Sequence, residues 1–323
     1  MGLLVEGQWQ DRWYDTQKSG GKFVRQEATF RHWITADGSA GPKGGDGFRA
    51  EKGRYHLYVS YACPWAHRTL IFRALKGLTD WIGVSVVHPL MQDNGWTFNP
   101  NEKVVPDPIH NAQYLYQIYT ADTPDFTGRV TVPLLWDKQL KRIVSNESAD
   151  IIRMFNQAFD HLGAAQGDYY PQALHSEINS VNNRVYHTVN NGVYRAGFAT
   201  TQEAYNEAVS ELFDSLEWLE GILSRNRYLT GYKITEADWR LFTTLIRFDA
   251  VYHGHFKCNL KQIANYPNLS AYMRELYQWP GVADTVHFDH IKSHYYQSHT
   301  TINPTGIVPK GPILDLNAAH GRD

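Results

Sequence analysis

The strongest structural signal in this 323-residue chain is a run in which a strand pattern changes into a helix pattern at a single proline. Residues 55–61, YHLYVSY, are aromatic and β-branched, and Pro64 ends this pattern. From Ala66 onward the apolar residues recur at helical spacing, and residues 81–90, WIGVSVVHPL, are typical of a second, buried strand. The order strand, helix, strand predicts a βαβ unit with two parallel strands.

A hairpin that runs directly into a helix is predicted further along the chain. Residues 129–137, RVTVPLLWD, have a strand pattern, and residues 142–155, RIVSNESADIIRMF, begin as a strand and continue as a helix. Pro133 interrupts the first of these strands, which a central strand rarely tolerates. We therefore expect a cis bond between Val132 and Pro133 at a sharp turn.

Beyond residue 170 the sequence is helical in character. Within residues 201–224 one apolar face recurs at alternating spacings of four and three, through Tyr205, Val209, Leu212, Leu216, Leu219 and Leu223. Thr235 and Asp238 have the spacing of a helix N-cap with an acidic partner at the third helical position. An all-helical domain is the prediction.

The chain is thus expected to be α/β in its first part and all-α in its second. The predicted segments are an arm and loop over residues 1–50, an α/β domain over 51–160 with an insertion at 91–128, a helical domain over 171–298, and a tail over 299–323.

Composition excludes several functional classes. The chain has 31 Lys and Arg residues against 33 Asp and Glu, a net charge of -2 and no basic tract, which argues against nucleic-acid and anionic-membrane partners. The N-terminal residues lack a secretory signal pattern and no long apolar run follows, so a soluble cytoplasmic protein is expected. Cys63 and Cys258 are too few and too far apart for a disulfide framework, and no histidine pair has matching ligands, so no metal is expected.

Cys63 is the candidate nucleophile because of its position. A lone cysteine is most often a packed thiol. Here, however, it lies between the first predicted strand and a helix that begins at Pro64, so helix amides and the positive end of the helix dipole face the sulfur. Such an environment lowers the pKa of a thiol and favours a nucleophilic thiolate. Ala66 occupies the second cysteine position of a CxxC motif, so an oxidised Cys63 needs an external thiol such as glutathione.

The motifs along the chain together resemble one enzyme family. The order strand, CPWA, helix, strand, TVP turn and NES at a helix start is similar to that of the glutathione transferase superfamily. The motifs CPWAHR, NGWTF, GRVTVP, SNESADIIRMF, NNGVY, RFD and NPTGI, with WYDT and GGKF in the arm, resemble the glutathionyl-hydroquinone reductases, which are xi-class glutathione transferases. The resemblance covers nearly the whole chain. It implies a thioredoxin-like N-terminal domain, a helical C-terminal domain of the transferase type, and a homodimer.

The resemblance also implies that glutathione is the co-substrate and that it is bound by the α/β domain. The implied binding residues are Trp96, Arg129, Val130, Thr131, Val132, Pro133, Glu147 and Ser148. The backbone before a cis-proline can pair with the cysteinyl part of the tripeptide as an added strand would. Arg129 suits a carboxylate, Ser148 at a helix start suits the γ-glutamyl carboxylate, and Glu147 suits its ammonium. Taken singly, the same residues are equally well explained as a helix cap, loop packing and a surface charge.

The reaction that the resemblance implies is the removal of glutathione from a glutathionylated hydroquinone. Cys63 attacks the glutathione sulfur, the ring carbon leaves and collects a proton, and a second glutathione releases Cys63 as glutathione disulfide. The resemblance implies Tyr194 as the proton donor, with Tyr252 and Tyr295 as hydrogen-bond donors to the thiolate. The chain has 20 tyrosines, and sequence patterns alone do not select these three from buried aromatic residues.

Two alternatives to this function remain at the level of the sequence. An omega-like thiol transferase or dehydroascorbate reductase would need Cys63 but would not need Tyr194. A non-catalytic ligand-binding protein on a transferase fold would need neither residue and would keep an unreactive Cys63 thiol.

Overall fold

The computed structural model describes residues 2–322, and internal contacts divide them into two units. The first unit consists of residues 2–13, Gln26–Gly167 and Thr285–His294. The second unit consists of Tyr14–Arg25, Asp168–Asp284 and residues 295–322. Most of the N-terminal arm is therefore part of the first unit, while Tyr14–Arg25 is part of the second.

The first unit combines strands with helices. In chain order its elements are β1 (Leu3–Val5), β2 (Gln8–Gln10), β3 (Trp33–Thr35), β4 (Gly47–Arg49), β5 (Tyr55–Val59), α1 (Pro64–Leu75), β6 (Gly83–Val86), α2 (Tyr116–Asp122), β7 (Gly128–Arg129), β8 (Leu134–Asp137), β9 (Arg142–Ser145) and α3 (Ser148–Gln157). Residues 2–50, predicted as an arm and loop, thus contain four strands of three residues each. Strands of this length are too short to produce a periodic sequence pattern.

A four-stranded sheet in the order β6-β5-β8-β9 forms the centre of this unit. β5 and β6 are parallel, whereas β8 is antiparallel to both β5 and β9. Every residue of β5 and β8 is buried, as the near-continuous apolar runs in the sequence indicate. The predicted βαβ unit and hairpin are confirmed, and the end of β5 leads directly to the start of α1.

The second unit is helical. In chain order its main elements are α4 (His175–Val185), a π-helical segment (Tyr186–Asn190), α5 (Gly192–Gly197), α6 (Gln202–Leu223), α7 (Glu236–Arg247), a second π-helical segment (Phe248–Tyr252), α8 (His253–His255) and α9 (Pro267–Tyr277). Helix α10 (Phe288–Ser298) begins in residues of the first unit and ends in residues of the second. Within residues 2–322, no helix combines the length and the apolar character that a membrane span requires.

The apolar face predicted for α6 is buried in the structure at five of its six positions, and Tyr205 is the exception. Tyr205 is half-buried because its hydroxyl donates a hydrogen bond to the Lys257 carbonyl at 2.6 Å. A phenol with a polar partner can remain at the edge of an apolar face.

The predicted N-cap of α7 is confirmed as a capping box. The Thr235 side chain accepts from the backbone amide at the third helical position, and Asp238 Oδ2 accepts from the Thr235 amide at 2.7 Å. All twelve residues of α7 are buried, so water cannot satisfy the amides of its first turn. The capping box supplies those partners from the chain itself.

Candidate active site

Cys63 is the N-cap residue of α1 and has extended backbone angles, φ -75° and ψ 120°. Its sulfur accepts a hydrogen bond from the Ala66 amide at 3.5 Å, and Pro64 occupies the first helical position. The Cys63 amide donates to the Ser60 carbonyl at 3.1 Å, which fixes the turn between β5 and α1. The residue is half-buried, so a reactant can reach the sulfur, and the backbone dipoles at a helix N-terminus stabilise a thiolate there.

The sulfur lies beside the strand segment that ends at the predicted cis-proline. The peptide bond between Val132 and Pro133 is cis, as the sequence predicts. The Val132 carbonyl oxygen is 3.5 Å from Cys63 Sγ, a distance that fits a weak S–H···O hydrogen bond. The structure therefore brings the candidate nucleophile next to the backbone that was expected to pair with the cysteinyl part of glutathione.

Tyr119 holds this strand segment in place, and no pattern in the sequence distinguishes it from the other tyrosines. The Tyr119 hydroxyl donates to the Thr131 carbonyl at 2.8 Å and accepts from the Thr131 amide at 3.2 Å. The side-chain amide of Asn146 donates to the same hydroxyl at 3.3 Å. Tyr119 is fully buried, and burial raises the pKa of its hydroxyl. One protonated phenol thus joins the segment before Pro133 to the residue that precedes Glu147.

Glu147 and Ser148 lie at the start of α3, where Glu147 is the N-cap residue. Glu147 Oε1 accepts from the Ala149 amide at 2.9 Å, so one carboxylate oxygen caps the helix. The Ser148 hydroxyl donates to the same oxygen at 3.5 Å and accepts from the buried Arg68 guanidinium at 3.3 Å. The cap employs only Oε1 of Glu147, and Oε2 is not part of it.

The two basic residues that follow Cys63 and Trp65 in the sequence direct their side chains to other groups. His67 is buried, and its Nε2 lies 2.7 Å from the Thr285 hydroxyl. The Arg68 guanidinium stacks on the Trp65 ring at 4.5 Å from the ring centroid, in addition to its bond with Ser148. The N-cap geometry is the observation that makes Cys63 the candidate nucleophile.

Trp96 and Arg129 each have an intramolecular partner. The Trp96 ring is buried and stacks on His294, with ring centroids 4.9 Å apart. Arg129 lies on β7, and its Nη1 donates to the Arg12 carbonyl at 2.5 Å. A structural role alone would also produce these contacts, so glutathione binding by Trp96 and Arg129 stays a prediction.

The closely spaced histidine pairs in the sequence, His253 with His255 and His287 with His290, do not belong to a metal-binding group in the described residues. Among residues 2–322, no three His, Cys, Asp or Glu side chains are grouped so that they could hold a metal ion. His255 Nε2 lies 3.1 Å from His299 Nδ1, and His290 Nε2 lies 2.8 Å from the Glu102 carbonyl.

Cys258 has a very different environment from Cys63. It is fully buried in the second unit, and its thiol faces the Phe256 carbonyl at 3.8 Å. Burial raises the pKa of the Cys258 thiol well above its usual range, because a thiolate in an apolar interior loses its hydration. Cys258 is therefore a packed thiol.

We expect iodoacetamide at neutral pH to label Cys63 and to leave Cys258 unmodified in the folded protein, because alkylation needs an accessible thiolate. In urea both cysteines should be labelled. Mass spectrometry of tryptic peptides after timed labelling measures both rates. Comparable rates for the two cysteines in the folded protein would contradict the assignment of Cys63 as the reactive thiol.

In the second unit, the three tyrosines implied by the resemblance form a chain of hydroxyl groups. The Tyr194 and Tyr295 hydroxyls are 2.5 Å apart, and the Tyr252 and Tyr295 hydroxyls are 3.0 Å apart. Tyr194 lies on α5, Tyr252 ends a π-helical segment, and Tyr295 lies on α10. Segments of π-helix occur frequently at functional sites. The structure thus brings together three residues that are far apart in the sequence.

The three tyrosines of this hydroxyl chain differ in exposure. Tyr252 and Tyr295 are 0% and 1% exposed, whereas Tyr194 is 9% exposed. Burial raises the pKa of both Tyr252 and Tyr295 well above the usual range, so both stay protonated. In each pair either oxygen can be the donor, and Tyr194 is the most exposed of the three residues.

Family models match most of the chain. The model described as "Glutathione S-transferase, N-terminal domain" matches residues 62–158, and "Glutathione S-transferase, C-terminal domain" matches residues 202–275. The order of the two domains is the order predicted from the sequence. The predicted fold class, a thioredoxin-like domain followed by a helical domain, is confirmed.

Three proteins illustrate how close the relatives are. Glutathionyl-hydroquinone reductase YqjG of Escherichia coli K12 is 60% identical over 100% of this chain and 99% of its own length. Its glutathione-bound structure superposes with a TM-score of 0.92, covers 99% of each chain, and has 56% identity in that superposition. Glutathionyl-hydroquinone reductase PcpF of Sphingobium chlorophenolicum is 59% identical over 98% of each sequence. The xi-class transferase of Natrialba magadii is 48% identical, with a TM-score of 0.91 over 100% of this chain and 96% of that protein.

Proposed function

This chain belongs to the glutathionyl-hydroquinone reductases, the xi class of the glutathione transferase superfamily, and on that premise we propose that it reduces glutathionyl-hydroquinones to hydroquinones with glutathione as reductant. The observation that carries the proposal is the half-buried Cys63 sulfur at the N-terminus of α1, 3.5 Å from the Val132 carbonyl. A single accessible thiol in this position suits attack on the sulfur of a bound glutathionyl group.

The proposed reaction has two steps whose atoms and electrons balance. In the first, the Cys63 thiolate forms an S–S bond with the glutathionyl sulfur, the C–S bond breaks, and the electron pair goes to the ring carbon, which takes a proton. In the second, the thiolate of another glutathione attacks the mixed disulfide and releases glutathione disulfide and the Cys63 thiolate. The products are one hydroquinone and one glutathione disulfide.

We propose that glutathione lies along the backbone from Arg129 to Pro133, through Val130, Thr131 and Val132. The amide and carbonyl of Val132 would pair with the cysteinyl residue, in the manner of an added strand. The Tyr119 hydroxyl supports this role because it fixes the Thr131 backbone through two hydrogen bonds.

The two ends of glutathione need charged partners. We propose that Arg129 binds its glycyl carboxylate and that Glu147 Oε2 and the α3 terminus at Ser148 bind its γ-glutamyl group, while Trp96 packs on the tripeptide. The use of only Oε1 in the helix cap supports this role for Glu147.

We propose Tyr194 as the donor of the proton that the ring carbon collects, and Tyr252 and Tyr295 as groups that stabilise the Cys63 thiolate by hydrogen bonding. A carbon leaving group is a poor one, so an acid beside it is a mechanistic need. The exposure of the three residues supports the choice of Tyr194 as donor, since Tyr194 is more exposed than Tyr252 and Tyr295.

A homodimer in the cytoplasm is the proposed state of the protein. The low number of cysteines, two in 323 residues, fits a reducing compartment. Size-exclusion chromatography with light scattering at several concentrations tests the dimer.

The function is tested by incubating the protein with a glutathionyl-hydroquinone and glutathione and by measuring both products. We expect hydroquinone and glutathione disulfide in a one-to-one ratio, because each turnover uses one glutathione. A mixed disulfide of glutathione with a small thiol is run in parallel. Turnover of the disulfide alone would replace the proposal with a thiol transferase. Glutathione binding without turnover of either substrate would favour a binding protein.

A further inference from the structure

Part of the N-terminal arm packs within the second unit around the Tyr194 ring. Phe23 is buried, and its ring centroid lies 6.4 Å from that of Tyr194 and 5.3 Å from that of Phe198. The Thr200 amide donates to the Gly21 carbonyl at 3.0 Å, which anchors the arm just beyond the end of α5. The residues that follow Phe23 therefore pack against α5, the helix that carries Tyr194.

Arg25 follows Phe23 by two residues and lies over the Tyr194 ring. The guanidinium carbon of Arg25 is 4.9 Å from the ring centroid of Tyr194. Arg25 Nε donates to Asn191 Oδ1 at 3.0 Å. Asn191 is buried and precedes Tyr194 by three residues, so this bond fixes the guanidinium along the helical turn that presents the tyrosine.

From this geometry we propose that Arg25 is a positioning residue that assists proton transfer by Tyr194. The inference deepens the proposed function and rests on it. When Tyr194 gives its hydroxyl proton to the departing ring carbon, the O–H bond breaks and negative charge develops on the phenol. The thiol of the second glutathione later returns a proton to Tyr194 and becomes the thiolate that resolves the mixed disulfide.

A cation over the ring stabilises a phenolate more strongly than it stabilises a neutral phenol. A neutral ring attracts a guanidinium only through its quadrupole, whereas a phenolate adds a full negative charge. The contact is therefore stronger in the transition state than in the ground state, which is the condition for raising a rate. Because Arg25 is already fixed by Asn191, little reorganisation is needed when the charge appears.

Two other arginines near the three tyrosines have different partners. Arg247 is fully buried and lowers the pKa values of Tyr252 and Tyr295, although burial raises them by more. Arg195, next to Tyr194 in the sequence, directs its guanidinium to Glu207 at 3.2 Å and Glu211 at 2.5 Å. Arg25, by contrast, stacks on the Tyr194 ring itself.

The test compares two substrates in Arg25→Gln and Arg25→Lys. For the glutathionyl-hydroquinone, kcat of Arg25→Gln should fall about 10- to 100-fold with KM within about twofold, since only the transition state loses stabilisation. Turnover of a glutathione mixed disulfide, whose sulfur leaving group needs no carbon protonation, should stay within about twofold. Arg25→Lys keeps the charge and should recover much of the lost kcat. The solvent isotope effect on kcat should increase in Arg25→Gln, because proton transfer then limits the rate.

Arg195→Gln is the matched control, since it removes a cation adjacent in sequence whose charge is held by two glutamates. Its kcat should remain within about twofold of wild type, because partly exposed ion pairs of this kind contribute little to the stability of the fold.

Equal losses on both substrates in Arg25→Gln, or no recovery with lysine, would assign Arg25 a purely structural role and overturn the inference. An unchanged kcat in Arg25→Gln would overturn it as well. Failure of the proposed function is seen separately, because the wild-type protein itself would then turn over no glutathionyl-hydroquinone.

Discussion

Cys63→Ser is expected to lose turnover of a glutathionyl-hydroquinone by a factor on the order of 10³ or more, because a neutral hydroxyl cannot replace a thiolate nucleophile. Serine is a preferred N-cap residue, so the start of α1 should be preserved. We therefore expect the variant to fold normally. The loss of turnover then reports the loss of the nucleophile and not a loss of structure. Release of glutathione disulfide and of hydroquinone measures the effect, with circular dichroism and glutathione binding as checks of the fold.

Cys258→Ala is the control that matches this substitution. It removes the other cysteine, which is buried and has a raised pKa, so kcat should stay within about twofold even if a small cavity lowers stability. The disulfide substrate should also lose turnover in Cys63→Ser, because both routes begin with the same attack. Residual thioether turnover near the wild-type level would remove Cys63 from the mechanism.

The elements around Cys63 could be predicted because their signals are contiguous in the sequence. An apolar strand run, a proline at the first helical position and a helical repeat follow one another within about twenty residues, and each restricts the backbone locally. The cis bond before Pro133 and the capping box at Thr235 are local signals of the same kind. These predictions are confirmed.

The supports of the candidate site could not be predicted in this way. Tyr119 bonds the Thr131 backbone 12 positions away and the Asn146 side chain 27 positions away, and no periodic pattern links such residues. Its helix, α2, lies in a segment that the sequence suggested was an insertion. A phenol that fixes backbone at a distance is visible only once the chain is folded, because one buried tyrosine resembles any other in sequence.

The grouping of the three tyrosines could not be predicted from sequence patterns either. Tyr194, Tyr252 and Tyr295 were implied by family resemblance, and their hydroxyls do lie within hydrogen-bonding distance. The resemblance could not indicate Arg25, which comes from a part of the arm without a clear structural pattern. The arm contributes through the stacking of Phe23 and Arg25, and such contacts depend on tertiary packing.

Tyr194→Phe is expected to slow turnover of the glutathionyl-hydroquinone by about 10²- to 10⁴-fold, the range typical of a lost general acid. The disulfide route should keep its rate within about twofold, since a departing thiolate needs no proton from this residue. The substitution removes one hydroxyl and keeps the ring, so the packing with Phe23 and Arg25 is preserved. Steady-state kinetics on both substrates, at saturating glutathione, measure the ratio of the two effects.

Tyr252→Phe separates the proposed roles within the hydroxyl chain. If Tyr252 stabilises the Cys63 thiolate, its loss should slow the thioether and disulfide routes by similar factors, whereas Tyr194→Phe slows only the first. Tyr205→Phe removes a hydroxyl whose partner is the Lys257 carbonyl and should leave both routes unchanged within about twofold. A parallel loss of both routes in Tyr194→Phe would exclude Tyr194 as a specific proton donor. In that case the carbon must take its proton from water or from another residue.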